Sequence, residues 1–144
     1  MSARLIDGKK IAEEIESELK GKISRMTAPP RLSVVQVGDD PASTSYIKAK
    51  SSAAKRVGIE LTHHHLPVDT SESELHSLID NLNSSEDGII VQLPLPEGLE
   101  DVLNHILPEN DVDGFHPVNL GRLVQGKLGM IPCTPAGIVE LLYR

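Results

Sequence analysis

Residues 32–50, LSVVQVGDDPASTSYIKAK, decide how this chain folds. LSVVQVG is short, rich in β-branched residues and almost continuously apolar, the habit of a parallel strand buried on both faces. Asp40 followed by Pro41 is then a helix start. The aspartate can accept from the first free amides, and a proline at the first helical position has no amide to leave unpaired. The helix is predicted to run to about Val57, with Gly58 closing it in the left-handed conformation.

Working outward, the same alternation continues. Asp7 is predicted to cap a helix whose Ile11, Ile15, Leu19 and Ile23 recur every fourth residue as one buried stripe, ended by Pro29-Pro30. A second strand is expected over residues 59–66. Ser71 and Glu74 form a capping box ahead of Leu75, Leu78, Ile79 and Leu82 in a third helix. Residues 88–93 read as another buried strand, stopped by Pro94 and Pro96. Leu99, Val102, Leu103 and Ile106 suggest a short fourth helix, and residues 107–119, mostly turn formers and acids, an ordered functional loop.

Thr134-Pro135 repeats the N-cap-then-proline start, with Ile138, Leu141 and Leu142 behind it. That helix meets Arg144 with no Gly, Asn or Pro to end it, so the expectation is that the chain is cut there. Residues 1–133 are read as one domain and 134–144 as the start of a linking helix. The predicted class is α/β: a three-layer α-β-α domain with a mostly parallel sheet. No internal repeat or low-complexity segment interrupts it.

Composition narrows the function classes. At 144 residues, 39 % apolar and 24 % charged, the chain can bury a real core. Two Tyr, one Phe and no Trp are too few for a platform that stacks nucleic-acid bases. A net charge of −7 offers no basic stripe for a phosphate backbone, so no nucleic-acid partner is expected. No apolar run reaches the roughly 20 residues that span a bilayer, and the N-terminus has no secretory h-region. The single Cys133 suits a reducing compartment, and a cytoplasmic protein is expected. Neither GxGxxG nor GxxxxGK[ST] occurs, so no dinucleotide or triphosphate cradle is visible.

Five groups of residues are candidates for chemistry. Tyr46 and Lys50, four apart, share one helical face near Ala53, Ala54 and Val57. A lysine aimed at an apolar face is disfavoured as a charge, which would poise it for acid–base work; alternatively Lys50 snorkels to solvent and Tyr46 is a half-buried core residue. Gln92 stands at the carboxyl end of a buried strand, where α/β sheets collect ligands, or else satisfies loose backbone groups in the proline-rich turn. In NDVDGFHPVN, Asp111 and Asp113 are expected on similar sides of an extended loop. Asp113 either grips N–H donors of a ligand or closes an Asx-turn on its own backbone. His63-His64-His65 does not make a metal site, because neighbours on a strand face opposite ways and no Cys or carboxylate completes a set. Cys133 is read as a small core residue.

The order of these blocks says more than any one of them. GDDPASTSYIKAK, VQLPLP, PENDVDGFHPVNLGRL and PCTPAG together resemble the N-terminal catalytic domain of the bifunctional methylenetetrahydrofolate dehydrogenase/methenyltetrahydrofolate cyclohydrolase family, over essentially the whole chain. The resemblance implies that Lys50 is the catalytic acid–base residue and that Tyr46 flanks or stacks on the folate. It implies that Gln92 orients Lys50, that Val91 and Leu93 line the substrate pocket, and that Asp113 holds the pterin ring through its N–H groups. A carboxylate suits that task because it only accepts hydrogen bonds.

The reaction implied belongs to one-carbon metabolism and purine biosynthesis. Hydride passes from 5,10-methylenetetrahydrofolate to NADP, and water then converts the methenyl cation to 10-formyltetrahydrofolate. An ammonium beside that cation would repel it, so Lys50 should act at least partly as the neutral amine, with Gln92 positioning it without added charge. The family pattern also implies a following Rossmann-like NAD(P)-binding domain, a later PGGVGP-like segment that helps close the folate site, and a homodimer of the full-length protein. None of these lies within the 144 residues. Asn110 replaces the lysine often found before DVDG. A folate-binding paralogue without redox activity is the other reading of the same blocks.

Overall fold

The structure, a computed structural model, describes residues 5–144. Its centre is a three-stranded parallel sheet of β1 (Arg31–Val37), β2 (Glu60–Leu66) and β3 (Gly88–Val91), in the order β2-β1-β3. The helix α2 (Pro41–Val57) connects β1 to β2, and α3 (Glu72–Ser85) carries the chain from β2 back past β1 to β3. The two crossovers run in opposite directions along the sheet, so right-handed connections place α2 and α3 on opposite faces. The predicted α-β-α layering follows from that.

Strand periodicity divides the core in two. Val35, Val37, Ile89 and Val91 pack with Leu75, Ile79 and Leu82 of α3, while Val34 and Ile90 pack with Ile47 of α2. Leu75, Ile79, Ile89 and Val102 are fully buried, each worth about 1.5–3 kcal/mol of transfer from water. β1 is therefore buried on both sides, as its sequence required.

The helix starts agree with their signals at three places. Asp7 accepts from the Lys10 amide at the head of α1 (Gly8–Ile23), Asp40 accepts from the Ser43 amide, and Ser71 and Glu74 form the reciprocal box. Gly58 closes α2 at φ 93°, the left-handed region where a Cβ is unfavourable.

Elsewhere the structure corrects the reading. The α1 stripe is not buried as one: Ile11 is, Ile15 and Ile23 are half-buried and Leu19 is exposed. The reason is that α1 rides outside α2, held partly by the Arg56–Glu16 ion pair, rather than beneath the sheet. The expected fourth helix is a single 3₁₀ segment, Glu100–Asn104. The loop after it ends sooner than expected, because α4 (Pro117–Val124) begins at Pro117, capped by the His116 ring accepting from the Val118 amide. A histidine cap is outside the usual Ser/Thr/Asp/Asn signal.

The last helix, α5 (Cys133–Tyr143), starts with Pro132 in the capping position, so Thr134 lies inside it and caps nothing. Pro135 is still tolerated there, since first-turn amides have no helical acceptor to lose. α5 lies along α1, tied by the Arg144–Glu18 ion pair. No helix among the described residues is long and apolar enough to cross a membrane.

Candidate active site

A cavity of about 340 Å³ opens where the carboxyl end of β3 meets α2 and the loop before α4, within the range of small-molecule sites. Tyr46, Lys50, Val91, Gln92, Leu93 and Asp113 all line it. All six residues picked from the sequence thus converge on one pocket, although they come from three separate segments.

Each segment places its residues for a local reason. The inner face of α2 buries Ser43, Ile47, Ala54 and Val57; Lys50 falls on that face at helical spacing and is half-buried at its pocket end. Tyr46 sits at the face's margin and is 64 % exposed, so it belongs to the pocket mouth and not to the core. β3 stops at Val91, but the Gln92 amide still donates to the Val35 carbonyl at 2.8 Å. That last rung fixes the Gln92 backbone while its side chain turns to α2. There the Lys50 Nζ donates to Gln92 Oε1 at 3.1 Å, and Gln92 Nε2 donates to the Leu93 carbonyl at 2.9 Å.

The two aspartates of the DVDG turn do not share a side. Asp111, 3 % exposed, accepts from the Phe115 and His116 amides and from Asn119 Nδ2, so it is the residue that organises the loop. Asp113 projects into the pocket. The turn closes at Gly114, φ 70°, where an added Cβ would sit 2.8 Å from the Ile131 carbonyl carbon and the Pro132 nitrogen. Only glycine lets the two backbones approach this closely. Asn110 is buried and donates to the Asn83 and Glu86 carbonyls, tethering the loop to the end of α3.

Phe115 and Cys133 are among the lining residues that the sequence reading did not place in the pocket. Phe115 is one of only three Tyr and Phe residues in the chain, and two of the three line this pocket. Its place directly after DVDG was the available signal. Cys133 is not a core residue: it is exposed at the pocket, where its Sγ lies 3.5 Å from the Val112 carbonyl and 3.6 Å from Asp113 Oδ1. Burial of the thiol group itself, and then the Asp113 charge, push its pKa up. It is a protonated donor beside a carboxylate rather than a nucleophile.

The histidines of β2 stand elsewhere. His63 and His65 share one face with rings stacked at 5.7 Å, His63 meeting Gln36 and His65 meeting the Gly38 carbonyl and Asp39. His64 faces the other way, 3.1 Å from Ser33 Oγ. Among the described residues no group of three or more His, Cys, Asp or Glu could hold a metal ion.

Residues 6–113 match the family model described as tetrahydrofolate dehydrogenase/cyclohydrolase, catalytic domain. The chain is 49 % identical to the bifunctional protein FolD of Halothermothrix orenii, over 98 % of this chain and 53 % of that protein, and 48 % identical to FolD of Salinibacter ruber, over 99 % and 50 %. It therefore spans about half the length of the curated relatives it matches. Among solved structures, the bifunctional FolD methylenetetrahydrofolate dehydrogenase/cyclohydrolase of Campylobacter jejuni superposes with a TM-score of 0.94 at 41 % identity, over 99 % of this chain and 53 % of that one. The Trypanosoma brucei FolD, solved with NADP cofactor and an inhibitor, gives 0.90 at 32 % identity, over 99 % and 52 %.

Proposed function

The chain belongs to the tetrahydrofolate dehydrogenase/cyclohydrolase family, and from that premise we propose that its pocket binds a reduced folate and supplies the acid–base group for two reactions. These are oxidation of 5,10-methylenetetrahydrofolate to the 5,10-methenyl cation with NADP, and hydrolysis of that cation to 10-formyltetrahydrofolate. The observation that carries the reading is the Lys50–Gln92 hydrogen bond, 3.1 Å long, in a pocket that also presents Tyr46 and Asp113.

The residues divide the work by charge. Asp113 accepts from pterin N–H groups at one end of the pocket. Tyr46, with Phe115 across the loop, offers flat apolar surface to the conjugated ring system. Lys50 acts at the one-carbon bridge. Water adds to the methenyl carbon and loses a proton, leaving a neutral carbinolamine; the bond from that carbon to N5 then breaks as N5 takes a proton and the carbinol O–H gives up its own to form the C=O, and the formyl group stays on N10. Lys50 is the group placed to take and return those protons. Gln92 is neutral, so it holds the amine in place without adding a carboxylate that would retain its proton.

NADP would accept the hydride in the oxidative step. No Gly-rich phosphate turn is present in these residues, and the relatives are about twice as long. We therefore place the dinucleotide's seat outside this chain, with residues 134–144 leading toward it from the domain formed by 1–133. Self-association as a homodimer is proposed for the longer protein only. The lone cysteine suits a cytoplasmic setting.

Equilibrium titration of the encoded protein with a tetrahydrofolate ligand tests the site. Asp113→Ala is expected to weaken binding by about tenfold or more; equal affinity would remove the pocket assignment.

A further inference from the structure

Ser43 is among the few polar side chains buried in this domain, 3 % exposed, on the inner face of α2 two turns before Lys50. Its Oγ donates to the Leu93 carbonyl at 3.1 Å, linking positions 50 residues apart in sequence. That same carbonyl accepts from Gln92 Nε2 at 2.9 Å, and Gln92 Oε1 accepts from Lys50 Nζ at 3.1 Å. The four residues form one polar chain: the Ser43 hydroxyl and the Gln92 amide both donate to Leu93, and Gln92 in turn accepts from Lys50.

A primary amide can sit in either of two orientations, and only its partners choose between them. Turned over, Gln92 would aim its NH₂ at the lysine amine and its oxygen at the Leu93 carbonyl. The amide oxygen would then meet the Leu93 carbonyl, acceptor against acceptor, and a protonated Lys50 would lose its acceptor. The Leu93 carbonyl therefore selects the orientation in which Gln92 accepts from Lys50. That carbonyl lies in a short proline-flanked turn beyond the strand, outside the sheet ladder. Ser43 is the residue that ties it to the rigid helix carrying Lys50.

We infer that Ser43 is a positioning residue for Lys50, acting through the Leu93 carbonyl and the Gln92 side-chain amide. Its catalytic consequence rests on the folate reading above; the hydrogen-bond chain does not. Removing the hydroxyl leaves the carbonyl held by Gln92 alone, so the turn and the amide loosen together and Lys50 loses its fixed acceptor. The effect should fall on turnover and its pH dependence rather than on folate affinity, which Asp113 and the aromatic walls supply.

The test uses the full-length enzyme with Ser43→Ala and Ser43→Thr, thermal melting serving to confirm that each is folded. For Ser43→Ala, kcat of methenyltetrahydrofolate hydrolysis is expected to fall about tenfold, with KM changed by less than about threefold and the pH–rate profile displaced. Exchange of the Gln92 Nε2 protons with solvent, followed by NMR and assigned by their loss in Gln92→Met, is expected to quicken about tenfold. Ser43→Thr, which keeps the hydroxyl, should restore both toward the parent values. An unchanged Gln92 exchange rate in Ser43→Ala overturns the inference, as does a loss of kcat with an unmoved pH profile. If the parent enzyme turns over no folate while Gln92 exchange still responds to Ser43→Ala, the folate reading fails and the positioning chain stands.

Discussion

Asp111 and Asp113 stand two residues apart and do opposite things: Asp111 is buried, accepting from two loop amides and Asn119, whereas Asp113 opens into the pocket. One carboxylate builds the loop and the other is offered by it. Asp111→Ala is expected to cost about 2–3 kcal/mol of folding free energy, since it strands donors that were paired with a charge. Asp113→Ala should stay within about 0.5 kcal/mol of the parent while losing folate affinity. Denaturant unfolding beside ligand titration checks both; a reversed pattern would mean that the assignments are exchanged.

Two glycines separate backbone strain from close approach. Gly98 (φ 89°) has nothing within 4 Å of a would-be Cβ, whereas Gly114 (φ 70°) has the backbone of Ile131 and Pro132 at 2.8 Å. Both alanine variants pay for a positive φ, about 1 kcal/mol. Gly114→Ala should be the worse by a further 1–3 kcal/mol or so and should also weaken folate binding, because Asp113 must move. Thermal unfolding of the pair is the measurement.

Cys133 should react slowly with iodoacetamide near pH 8, because burial and the Asp113 charge hold its proton. Asp113→Asn removes the charge and should speed the reaction, and bound folate should slow it. Mass-spectrometric alkylation rates decide this.

Stability should decline on mild acidification through one histidine of β2. Burial first, and then His65 and His64, lower the pKa of His63 from its ordinary 6.5. The unfolded chain therefore takes up this proton before the folded one does. The folded state loses ground as pH falls below about 6.5 and continues to lose until His63 titrates in place. His63→Gln should flatten the melting temperature between pH 7 and pH 5; an unaltered slope would assign the acid sensitivity elsewhere.

Most of the fold was legible because its signals are local. Asp40-Pro41, Gly58 and the Ser71/Glu74 box act within one turn of their own position, and the apolar run of β1 states its two-sided burial directly. What the sequence hid was long-range. The exposure of Leu19 depends on α1 lying outside α2, and the true start of α5 depends on the Ile131–Pro132 backbone packing on Gly114. The His116 cap uses a residue that propensity does not favour. The residues in and behind the pocket show the same split. Lys50, Gln92 and Asp113 could be proposed from spacing and motif order, but Ser43 and Cys133 gain their places only through partners 50 and 20 residues away.

Lys50 is the proposed acid–base group of the pocket. The most direct measurement is the rate of 5,10-methenyltetrahydrofolate hydrolysis by the full-length protein with Lys50→Met, a variant of similar length that lacks the amine. With the pocket otherwise intact and folate still bound, the expected result is a loss of about 100-fold or more. Hydrolysis at a near-parent rate would contradict the assignment of Lys50, held by Gln92, as the acid–base group of this site.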